Sequence, residues 1–167
     1  MRQFNLEKIF INQRKLDQYI HKNHKVCYKN IIEELKLAFC VELSELANEV
    51  RCFKFWSFKK PSDKEIILEE YVDGIHFITS LCIAFNVSFK QIGNINSNIE
   101  KMSKKKLTKE FLKIYKYSSI INDKKSVIKV FNQYIKLGLM LDFNYENILA
   151  AYMKKCKINY KRQDNNY

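Results

Sequence analysis

Two runs decide the fold: VELSELANEVRCFKFW, residues 41–56, and ILEEYVDGIHF, residues 67–77. Each carries two carboxylates three positions apart, Glu42 and Glu45 in the first, Glu70 and Asp73 in the second. Apolar residues recur around them at helical spacing: Ala38, Leu46 and Val50, then Ile67, Ile75 and Ile78. Residues i and i+3 share a helix face, so each pair points its acids the same way. Packed antiparallel across the turn at Lys59, Lys60 and Pro61, the two helices would bring all four acids together. Such convergence is unfavourable unless a positive charge sits among them. A hard divalent cation with oxygen ligands, Mg²⁺ above all, meets that requirement and leaves positions for substrate phosphates and water. Exposed helices also carry glutamates at this spacing, paired with lysine for a few tenths of a kcal/mol, so spacing alone leaves both readings open.

Working outward, 167 residues suffice for one substantial core, and an apolar content of 47% argues against disorder. Only 3 Gly and 1 Pro occur, too few for the tight turns of an all-β fold, so we expect an all-α chain forming a single domain over 1–167. The formal charge is +12, and of 30 basic residues all but Arg2, Arg14, Arg51 and Arg162 are lysine. Ten lysines fall within 101–129 against Glu110 and Asp123. That excess attracts polyanions or simply solvates a helix face, and the scarcity of arginine argues against base-specific readout of nucleic acid. Cys27, Cys40, Cys52, Cys82 and Cys156 form no CxxC pair and no zinc-ligand series with His21, His24 and His76, and read as buried free thiols. Charged residues interrupt every N-terminal apolar run, and Phe77 to Phe85 is too short to span a membrane, so we expect a cytoplasmic protein.

The chain reads as a first helix over 5–21, a second from about Asn30 into the fifties, and a third opened by a Ser62–Glu65 capping box. Gly74 interrupts the third helix, where it costs about 1 kcal/mol against Ala and has a physical use if a neighbouring helix comes close. His76, three residues beyond Asp73, falls near the acidic face, and Gln13 lies beside the apolar face of the first helix. The segment RCFKFWSFKKP, residues 51–61, mixes Arg51, Lys54, Lys59 and Lys60 with Phe53, Phe55, Trp56 and Phe58, which would suit an aromatic wall with phosphate-facing cations. Trp56 equally suits a core. A flexible linker is expected near 86–104, then helices over 105–117 and 124–141, a last one starting at Asn144, and a C-terminal phosphate-contacting tail near 152–167. In that tail Lys155, Asn159 and Arg162 recur at intervals of four and three, two cations and an amide suited to polyphosphate oxygens or to a solvated surface. No P-loop, dinucleotide fingerprint or nucleophile elbow is present.

Through VELSELANEVRCFKFWSFKKP and ILEEYVDGIHF, with IFINQRKLD near the start and AYMKKCKINYKRQDNNY at the end, the sequence resembles the all-α dimeric dUTPases, relatives of the MazG-type nucleoside triphosphate pyrophosphohydrolases. The resemblance implies a MazG-like helical bundle, a homodimer whose pockets can draw residues from both subunits, and hydrolysis of dUTP at the α-phosphorus, and it leaves open whether dUDP is a substrate too. It implies Mg²⁺ on Glu42, Glu45, Glu70 and Asp73; phosphoanhydride hydrolysis is then expected to use two or more ions, with Glu45 also orienting or deprotonating the attacking water. Gln13, Trp56 and His76 would belong to the uracil pocket, and Lys155, Asn159 and Arg162 would make the phosphate contacts, with Lys59 or Lys60 as secondary candidates. Asp17, Cys156 and Asn166 depart from the residues expected at their positions, Asn, Asn and Gly. Preference for dCTP or several nucleotides is the nearest alternative, and a phage-borne regulatory or nucleic-acid-binding protein is the alternative from another class.

Overall fold

The structure is a computed structural model that describes residues 6–92 and 103–165. Its elements are α1 (Glu7–His24), α2 (Ile32–Val50), α3 (Lys64–Ala84), α4 (Lys104–Ser118), α5 (Lys124–Met140) and α6 (Tyr145–Asp164), with no strand among the described residues. The all-α expectation holds. The linker expected near 86–104 falls mostly on residues 93–102, outside the described residues, as does Asn166. None of the described helices is long and apolar enough to cross a membrane.

α3 is the hub. Its apolar residues run nearly all round, so the helix is buried by neighbours on every side: α1, α2, α5 and α6 all pack on it. The chain reverses between α2 and α3, which places Ser62 against Glu49 and the Glu70 turn against Glu42 and Glu45.

Local chemistry sets the boundaries of these two helices, and it corrects two expectations. α2 ends at Val50 instead of continuing into the fifties, because Arg51 turns left-handed (φ 56°) while its N–H bonds to Ala47 O at 2.9 Å. The Arg51 guanidinium then donates to Ser57 Oγ at 2.7 Å and to Lys59 O at 3.3 Å. This cation holds the 51–63 loop through those two bonds. Nor does the Ser62–Glu65 capping box form: the N-cap of α3 is Asp63, without a side-chain cap. The Ser62 hydroxyl donates instead to the Glu49 carboxylate, and the Ser62 N–H to Glu49 O, tying the loop back onto α2. The later helices are capped conventionally, Asp123 accepting from the Ser126 N–H at 2.7 Å and Asn144 from the Asn147 N–H at 2.8 Å.

Gly74 serves a close approach. The Tyr134 ring from α5 lies over it and donates its hydroxyl to Tyr71 O at 2.9 Å. Tyr71 does the converse, lying over Gly138 and donating to Tyr134 O at 3.2 Å, and the two rings stack at 4.7 Å. The segment from Tyr152, expected as a tail, continues as α6 to Asp164 with Tyr152, Lys155 and Cys156 buried. All five cysteines are free, but only Cys52, Cys82 and Cys156 are buried; Cys27 is exposed and Cys40 half-buried, since each falls at the edge of its apolar pattern.

Candidate active site

Four helices enclose a cavity of about 270 Å³ beside the acidic turns. α1 contributes Gln13 and Asp17, α2 Glu42, α3 Asp73, His76 and Ser80, and α6 Lys155, Asn159 and Arg162. At one end, Glu42, Glu45 and Glu70 each offer an oxygen within 4.8 Å of the others. Asp73 is outside that trio, its Oδ2 held by Lys155 Nζ at 2.6 Å; the same ammonium meets Glu69 Oε1 at 3.1 Å.

The electrostatics follow from crowding in a half-buried place. Burial, with Asp73, Glu45 and Glu70 as like-charged neighbours, raises the Glu42 pKa to about 7. Glu70 is raised by burial and by Asp73 and Glu45, an effect Lys155 moderates. Burial raises Asp73 too, against the lowering effect of its bond to Lys155. Burial disfavours charge on Lys155, but Asp73 and Glu69 outweigh it and raise its pKa. The donor set is all oxygen, already close together and under-neutralised, which fits a hard divalent cation.

At the other end a hydrogen-bond network fixes the cavity wall. Gln13 Nε2 donates to Asp17 Oδ1 at 2.8 Å and to Ser80 Oγ at 3.0 Å. The amide oxygen therefore faces the other way, where it accepts from His76 Nδ1 and from the Tyr152 hydroxyl, each at 2.7 Å. All four hydrogen-bonding positions of Gln13 are thus taken by the protein. Because the amide oxygen can only accept, His76 carries its proton on Nδ1, and its buried Nε2 is left as an acceptor without a partner. Burial, and then the Lys155 charge, lower the His76 pKa to about 3, so the ring is neutral; it stacks on Tyr152 at 4.3 Å. Asp17 accepts also from the Tyr28 hydroxyl at 2.6 Å and from Ser80 at 3.0 Å, while burial raises its pKa.

Of the residues singled out in the sequence, Gln13, Glu42, Asp73, His76, Lys155, Asn159 and Arg162 line the one cavity, and Glu45 and Glu70 adjoin Glu42 at its edge. Trp56 and Lys59 do not line it. They sit on the 51–63 loop, where Trp56 is 62% exposed between Phe53 and Phe55, and Lys59 is exposed too. Sequence reasoning missed Ser80, Tyr152, Tyr28 and Glu69. Ser80 had a signal, standing four residues beyond His76 on the same face of α3.

The sequence model of the dUTPase family matches residues 5–167. The chain belongs to the dUTPase family. No curated protein matches it. As a dUTPase the chain is a dUTP diphosphatase, with dUTP as its substrate. In this dUTPase Glu42 and Asp73, Lys155 and Arg162 of α6, and the neutral His76 line one cavity.

Proposed function

We propose that this chain, acting as one domain over 1–167, hydrolyses dUTP to dUMP and pyrophosphate with Mg²⁺, and dUDP to dUMP and phosphate. The observation that carries the reading is the meeting of Glu42, Glu45 and Glu70 from two helices, next to a cavity lined also by Lys155, Asn159 and Arg162. Glu42, Glu45, Glu70 and Asp73 would hold two or more Mg²⁺ ions. When bound, these ions acidify water and neutralise phosphate oxygens.

The chain's own residues do the rest. Glu45, the exposed member of the trio, orients the attacking water and takes its proton. The water oxygen bonds to the α-phosphorus, the α–β phosphoanhydride bond breaks, and the electron pair leaves with pyrophosphate. Lys155 and Arg162 neutralise the growing negative charge on the outer phosphates, and Asn159 orients them. His76 Nε2, an acceptor without a partner, receives the N3–H of uracil, whereas cytosine presents a lone pair there. Gln13 supports the base by holding the His76 tautomer, since its own bonding capacity is filled.

The working unit is a homodimer in the cytoplasm. In it the exposed Phe55, Trp56 and Phe58 find cover, and Trp56 and Lys59 reach the partner's cavity.

The test is product analysis with Mg²⁺ and separate dUTP, dCTP, dTTP and UTP, beside a Glu45→Gln control. Conversion of dUTP to dUMP and pyrophosphate, at least about a hundredfold slower in the control, is the expected result. Equal turnover of dCTP would remove the His76 assignment, and full activity of the control would remove the role of Glu45.

A further inference from the structure

Lys155 stands between two kinds of partner. Its Nζ is 2.6 Å from Asp73 Oδ2 and 3.1 Å from Glu69 Oε1, and the Lys155 and Asp73 side chains are 11% and 15% exposed. The same side chain lines the cavity with Asn159 and Arg162, where the phosphates are proposed to lie. Its backbone is fixed, because Tyr152 and Cys156 on the same helix are buried, but its four-carbon stem lets the ammonium turn. Glu42, Glu45 and Glu70 are mutually close, and among the described residues Asp73 is the one of the four acids that has a lysine ion-paired to it.

An ammonium on Asp73 Oδ2 and a divalent cation on the same carboxylate would repel strongly at that separation. One must yield. We propose that Lys155 is the resident counter-ion of Asp73 in the metal-free enzyme, gives up that carboxylate when a divalent cation binds, and is thereby released to the substrate phosphates. The inference rests on the reading that the four acids hold the cation. Lys155 thus competes with the cation in the absence of nucleotide and favours the nucleotide once the cation is bound. It couples the two binding events through a single side chain, and the coupling is reciprocal.

The test titrates the nucleotide-free full-length protein with Mn²⁺ and follows free Mn²⁺ by electron paramagnetic resonance. Lys155→Met is compared with wild type and with Lys154→Met, which removes the same charge from the exposed neighbour on α6. Circular dichroism checks that helix content is kept. Lys155→Met is expected to tighten Mn²⁺ binding by at least about fivefold, the lower end of ordinary coupling between sites, with Lys154→Met changed less than about twofold. If Lys155→Met loses helix content, Lys155→Gln, which keeps a hydrogen-bond donor to Asp73, takes its place with the same expectation. Unchanged or weaker binding by the Lys155 variant, or an equal gain in Lys154→Met, overturns the competition and leaves the metal site standing. Absence of Mn²⁺ binding in every variant overturns both.

Discussion

Gly74→Ala should destabilise the protein, although alanine is the better helix former. A Cβ at position 74 would lie 2.1 Å from the Tyr134 hydroxyl oxygen and 2.6 Å from its Cζ. Ordinary contact needs about 3.5 Å, so the ring must retreat by roughly 1 Å. It has nowhere to go. Tyr134 is fully buried, stacked on Tyr71 at 4.7 Å and set edge-on against Phe39 at 5.1 Å. Overpacking costs about 1–3 kcal/mol, and displacing the hydroxyl from Tyr71 O costs about another 1–3 kcal/mol. The helix-propensity gain returns about 1 kcal/mol, leaving a net loss of about 3 kcal/mol. Urea unfolding followed by circular dichroism, with unchanged m-value, measures this directly. Gly138→Ala should cost a similar amount, because its Cβ would meet the Tyr71 hydroxyl oxygen at 2.4 Å. Both glycines serve one interlocked tyrosine pair, so the double variant should lose less than the sum of the singles. A neutral or stabilised Gly74→Ala would refute the reasoning, since that is how a surface glycine in a helix behaves.

Glu42 holds its proton more tightly in the folded state, with a pKa of about 7 against an ordinary value of 4.5. Its contribution to stability is therefore complete below about pH 4.5 and disappears as pH rises through about 7, a loss on the order of 1 kcal/mol for a half-exposed carboxyl. In metal-free protein Glu42→Gln should remove that part of the fall in Tm between pH 5 and 8. The difference between variant and wild type isolates it from His76, whose lowered pKa costs stability in the opposite direction, as pH falls below about 6.5. Equal pH slopes for the two proteins would refute the assignment. Trp56→Ala should leave the helix content of the protomer unchanged by circular dichroism, since Trp56 is 62% exposed on its own chain, and raise KM for dUTP severalfold; an unchanged KM would take Trp56 out of the site.

The sequence reveals the site where function follows helical spacing and obscures it where partners are remote. Glu42 with Glu45, Glu70 with Asp73, and Lys155 with Asn159 and Arg162 are visible because i+3 and i+4 neighbours share a face whatever packs against them. The role of Gln13 is not visible, since it depends on Ser80 and His76, more than sixty positions away, and on Tyr152, 139 positions away. Ser62 misled for a related reason. A serine three residues before a glutamate satisfies the capping pattern, but its one hydroxyl hydrogen went to Glu49, brought beside it by the chain reversal. Similarly, nothing local announces that Arg51 adopts a left-handed conformation and ends α2.

What joins the two ends of the cavity is a single stripe along α3. Glu70, Asp73, His76 and Ser80 follow one another at spacings of three, three and four, so they stay on one face over roughly 15 Å of helix. Their partners change along the stripe, from α2 to α6 to α1. Glu70 meets the acids of α2, Asp73 meets Lys155 of α6, His76 meets Gln13 and Tyr152, and Ser80 meets Gln13 and Asp17 of α1. The stripe therefore runs from the acids proposed to bind metal, through the lysine proposed to reach phosphate, to the wall proposed to receive the base. α6 runs a matching stripe through Tyr152, Lys155, Asn159 and Arg162. Inserting one residue into α3 between Asp73 and His76 would rotate the base wall by about 100° relative to the acids. The two halves of the site would then face different directions, even with every side chain retained.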